Sequence, residues 1–188
     1  MAEHWAYKAP QLMHSLEILL IQITDNGEEM LSNFRFANYW YLNRLFYMAA
    51  RMSSCNSIPG GTEYVQAVNK AIASLYELVF PNDDMSFDDL QRMCLQYRSI
   101  AEDEISLGND ESIVKRYLTR AVECAEKSTS VKEHELTHPL VYGWKVYDTP
   151  SDCKQIVRLL QSELMWECFD EYRNKEWFID LCHRLEKI

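Results

Sequence analysis

Apolar residues recur at helical spacing through most of the chain. Leu12, Leu16, Leu19, Leu20 and Ile23 fall on one face of a helix that Pro10 opens and Asn26-Gly27 stops. From about Glu28 to Met52, "FRFANYWYLNRLFYMAARM" puts apolar residues on more than one side, the pattern of a helix packed on two faces. After the break "SSCNSIPGG", Thr62 starts a helix whose apolar set includes Val65, Val68, Ile72, Leu75, Leu78 and Val79, and Pro81 ends it. Ser86, with Asp89 three residues on, is a capping-box-like start for a helix running to Leu107, with Gly108 as a left-handed stop. Asn109 or Asp110 caps the next helix, which continues to about Lys127. Helix after helix with short breaks predicts an all-α fold of stacked antiparallel hairpins, an α-solenoid or bundle, in one domain over 1–188.

Composition narrows the function classes. The formal charge of −10 argues against a nucleic-acid surface, because phosphate recognition needs a net basic face. The one basic cluster, Lys115, Arg116 and Arg120, is bracketed by acidic residues on the same helix and reads as a solvated face. "LEILLIQI", Leu16 to Ile23, is too short for a membrane span and is interrupted by Glu17 and Gln22, and no signal peptide is legible. The six cysteines form no CxxC pair, which predicts reduced thiols, mostly buried as small hydrophobes, in a cytoplasmic protein.

From Cys94 the chain carries Tyr97, Ile100, Ala101, Leu107-Gly108, then Ile113, Tyr117 and Ala121. This resembles the large, small and turn residues of a tetratricopeptide repeat. The physical logic fits: Gly108 permits the sharp turn, Ala101 and Ala121 allow close approach, and the tyrosines fill the remaining volume. Glu104 stands where an aromatic is usual, Ile113 replaces a small residue, and no proline follows the second helix. Downstream, Thr137, Pro139 and Leu140, then Tyr147-Asp148, then Phe169, Asp170 and Arg173 resemble the C-terminal pattern of Firmicutes regulators in which a helix-turn-helix module precedes such repeats. The resemblance covers roughly Cys94 to Ile188 and implies a repeat-like core over 28–127, with a turn and capping helices over 134–188. No helix-turn-helix module is legible here, so DNA binding is not carried over.

"HELTH", residues 134–138, has the spelling by which metallopeptidases hold zinc on one helix face, with His134 and His138 as ligands, Glu135 as base and Glu163 or Glu167 as third ligand. Lys132 and Glu133 precede it and Pro139 directly follows, so a helix would break at the second histidine. The segment reads better as a polar connecting loop. Zinc hydrolysis stays as the alternative to a non-enzymatic reading that needs no metal and no cofactor.

That main reading is a helical-repeat module binding a protein or peptide, with a regulatory role implied by the resemblance and self-association left open. Its concave face is lined by the first helix of each hairpin. The polar and amphipathic candidates there are Asn43, Arg44, Tyr47 and Arg51, with Arg98 and Glu102 on the later helix. Arginine and asparagine suit capture of carboxylates and peptide backbone. The sequence names neither partner nor pathway.

Overall fold

The computed structural model describes residues 27–53, 61–81, 84–150 and 153–188, the side chains of 49–53 lying outside that description. The expected helix over residues 10–26 and the side chain of Arg51 therefore fall outside the described residues. The rest is all-α apart from one short hairpin. Helices α1 (Gly27–Ser53), α2 (Gly61–Val79), α3 (Phe87–Ser106) and α4 (Glu111–Ser128) are followed by strands β1 (His134–Glu135) and β2 (Lys145–Val146). Helix α5 (Gln155–Glu163), a 3-10 helix (Glu167–Tyr172) and α6 (Glu176–Glu186) complete the chain. Among the described helices, none is long and apolar enough to cross a membrane.

The helix ends obey local chemistry. Ser86 Oγ accepts from the Asp89 N–H at 3.1 Å and opens α3. Asp110 Oδ1 accepts from the Ser112 N–H at 2.7 Å and opens α4. Between them Gly108 adopts φ +68°, a left-handed conformation that costs a side-chain-bearing residue free energy. The turn folds α4 back on α3, so that Tyr97 and Tyr117 stack with centroids 6.3 Å apart.

This hairpin is the centre of the core. Met93, Cys94, Ile100, Ala101, Val114, Leu118, Ala121, Val122, Cys124 and Ala125 are all sealed from solvent. Helix α2 packs on α3, α6 packs on α4, and α5 lies against both α3 and α4. Phe169 and Phe178 close the C-terminal end, with Arg173 paired to Asp170 at 2.7 Å and donating to the carbonyls of Met165 and Trp166. Cys94 and Cys124 are buried thiols, whereas Cys153, Cys168 and Cys182 are free and partly exposed, so burial describes fewer of them than composition suggested.

One expectation about these elements needs correction. Residues 134–138 are not simply a polar loop: His134 and Glu135 form β1, which pairs antiparallel with β2, His134 with Val146 and Glu135 with Lys145. Val131, Leu136, Val141 and Val146 anchor this hairpin in the core. Their spacing of five matches neither a helix nor a strand, because turns intervene, and so no periodicity reveals it. Glu104, the departure from the repeat pattern, is fully buried; its carboxylate pairs with Lys70 of α2 at 2.6 Å and accepts from Asn109 Nδ2 at 2.5 Å. A salt bridge to α2 thus stands where the repeat would place a ring.

Candidate functional site: an aromatic cleft between helix α1 and the hairpin

Phe36, Tyr39, Trp40, Asn43, Arg44 and Tyr47 follow one another at intervals of three and one along α1, which places them on one helix face. That face looks toward the start of α3 and the hairpin, and encloses a cleft of about 450 Å³ completed by Asp88, Arg92 and Trp144. Trp144 stacks on Tyr39 with centroids 4.6 Å apart and an interplanar angle of 22°, and its ring lies 5.7 Å from that of Phe36. Arg44 lies over the Trp40 ring at 5.1 Å, and Arg92 over Tyr47 at 5.6 Å.

The walls are held together by a buried carboxylate. Asp89 is sealed from solvent and accepts from the Tyr39 hydroxyl at 2.6 Å, from Ser86 Oγ at 2.6 Å and from Arg92 Nη1 at 3.3 Å. Arg92 also donates to Asn43 Oδ1, and Asn43 Nδ2 donates to the Tyr39 carbonyl at 3.0 Å. Burial, reinforced by the Asp89 charge, raises the Tyr39 hydroxyl far above its usual range, so it keeps its proton and remains a donor. Farther along, Asn38 Nδ2 donates to the Leu140 carbonyl at 3.1 Å and Arg35 lies 4.9 Å over Tyr142. These contacts tie helix α1 to the hairpin.

Of the residues expected to bind, Asn43, Arg44 and Tyr47 come together in this cleft. Arg98 and Glu102 do not join them. Arg98 Nη1 pairs with Glu102 Oε2 at 2.6 Å, its Nε stands 2.8 Å from Glu163 Oε2, and its guanidinium lies 5.0 Å over Trp166. Only 13% of the Arg98 side chain is exposed, so it fastens α3 to α5 and offers little to a ligand. Phe36, Tyr39, Trp40, Asp88, Arg92 and Trp144 escaped the sequence reading. The stripe on α1 was legible as a run of rings at helical spacing; the contribution of Trp144 was not, since it depends on the hairpin.

The HELTH residues are not set out as a zinc-binding helix. His134 and Glu135 are extended, so the one-turn spacing that would set both imidazoles on a helix face is absent. His134 Nδ1 donates to the Lys132 carbonyl at 2.7 Å and its Nε2 stands 2.6 Å from Asp84 Oδ1. His138 Nδ1 accepts from the Leu140 N–H at 3.3 Å. Glu163, offered as a third ligand, is bound to Arg98. Among the described residues, no three His, Cys, Asp or Glu side chains converge on one point.

A second groove, of about 550 Å³, continues from the cleft along β2. The two share Tyr39, Asp88 and Trp144. Compared with protein-family models, curated proteins and solved structures, the chain matches none of them.

Proposed function

We propose that the chain is a non-catalytic module that binds a peptide, or an extended segment of a protein partner, in the cleft between α1 and the hairpin, with a regulatory role. The observation that carries the reading is the partly open set of five rings, Phe36, Tyr39, Trp40, Tyr47 and Trp144, with Arg44 at its rim. Rings offer large contact area at small conformational cost, and Arg44 has no ion pair among the described residues to compete with a ligand carboxylate. The regulatory part rests on the resemblance of the C-terminal half alone.

The test is selection from a random decapeptide library displayed on phage, followed by fluorescence anisotropy with the enriched peptides. Arg44→Ala and Tyr47→Ala should each weaken binding by roughly 1 to 3 kcal/mol while the melting temperature holds, because both side chains are exposed. Failure to enrich any sequence, or enriched peptides indifferent to both substitutions, would overturn the reading.

A further inference from the structure

We propose that the peptide binds as an added β-strand along the outer edge of β2, with side chains from one of its faces reaching into the aromatic cleft. This rests on the peptide-binding reading and specifies its backbone chemistry. The register carries it. The Leu136 N–H donates to the Trp144 carbonyl at 2.9 Å, and Glu135 stands opposite Lys145. In an antiparallel ladder those facts make Glu135 and Lys145 the non-hydrogen-bonded pair, whose own amide groups turn away from the partner strand. The Lys145 N–H and C=O therefore point to the side of β2 opposite β1.

The second groove is bounded by Tyr39, Ser86, Phe87 and Asp88 across from Gly143–Asp148 and by no residue of β1, which sets it along that side of β2. A strand added there would sit about 4.8 Å from β2 and exchange two hydrogen bonds with Lys145. Two of the usual edge protections are present, since β2 is only two residues long and carries Lys145, but no proline or bulge lies at 145–147 and no third strand pairs with it among the described residues. Because side chains alternate, every second residue of the ligand faces the helices, and the groove's continuity through Trp144 leads one of them into the cleft. The ligand chemistry follows. An aromatic or large aliphatic residue meets Tyr39 and Trp144, and a carboxylate two residues on, or at the chain end, meets Arg44.

The probe is the tightest decapeptide enriched on the wild-type protein, tested by two routes. In the first, Lys145→Pro removes the outward N–H without removing a ladder bond, since proline is tolerated where the amide faces away from its partner strand. Strand addition predicts a loss of at least about tenfold in affinity with the melt unchanged. In the second, single N-methylations are walked along the peptide with the wild-type protein. Strand addition predicts a loss of about tenfold or more at the one residue whose N–H meets the Lys145 carbonyl, and little effect at the residues on either side of it. A flat N-methylation profile would overturn strand addition even if Lys145→Pro failed to fold, as would a folded Lys145→Pro protein that binds normally. In either of those cases a retained effect of Arg44→Ala would leave the peptide-binding reading standing, while a library that yields no binder would remove both.

Discussion

Two charged residues on α3 show how far a side chain's neighbours decide its meaning. Arg98 reads in the sequence as a binding residue on an open face; in the structure it is spent on Glu102, Glu163 and Trp166. Arg98→Ala should therefore cost about 2 to 4 kcal/mol of stability by stranding Glu163, and the double change Arg98→Leu/Glu163→Leu should recover most of it, as read by urea unfolding. Asp103 sits on the same helix, where burial pushes its carboxyl up to about 6 against the opposing hydrogen bond from Asn69. Its folded form holds a proton more tightly than its unfolded form, so its ionisation weakens the fold as pH rises from about 4 through 6. Asp103→Asn should stabilise the protein by about 1 kcal/mol at pH 7, after discounting for its partial exposure, and the gap should close below about pH 4 in melts taken across that range. Neither environment was legible in the sequence, because Glu163 and Asn69 reach α3 from distant elements.

At the level of elements, most of what local chemistry controls was legible. The caps at Ser86 and Asp110, the left-handed Gly108 and the paired alanines all stand where the sequence puts them. Each depends on residues within a turn of its neighbours, or on the short link joining α3 and α4. Ala121 is sealed between those helices, so Ala121→Glu should destabilise by several kcal/mol, about 3 or more, through an unpaired buried charge. A melt within a degree or two of wild type would contradict that packing. The hairpin escaped because it has two-residue strands and owes its existence to Leu136, Val141 and Val146 reaching a core supplied by other helices. Leu136→Ala should accordingly cost about 2 to 4 kcal/mol, and its readout by near-ultraviolet circular dichroism should include loss of the Trp144 environment. The candidate site divides the same way: the stripe on α1 follows from spacing, whereas its opposite wall follows from the hairpin.

For the whole molecule, the relevant contrast is between a dense centre and a lightly attached flank. Helices α3 and α4 share a continuous apolar interior, while among the described residues of α1 only Ala37, Leu42 and Phe46 are buried apolar groups. Much of what holds α1 is polar or aromatic: Tyr39 on Asp89, Asn38 on Leu140, and Tyr39 against Trp144. Such an attachment, among the described residues, predicts that α1 opens at lower free energy than the centre. Amide protons over 34–46 should exchange with solvent faster than those over 93–104, a difference that hydrogen-exchange mass spectrometry reads directly. A ligand bridging α1 and β2 binds the closed form alone, so it would slow exchange across α1 in proportion to its own concentration. By the same linkage Tyr39→Phe, which removes the hydroxyl that Asp89 accepts, would weaken affinity by enlarging the open population: the buried carboxylate of Asp89 becomes a dial on how tightly the flank is held, and thereby on how strongly the molecule would respond to a ligand in the cleft.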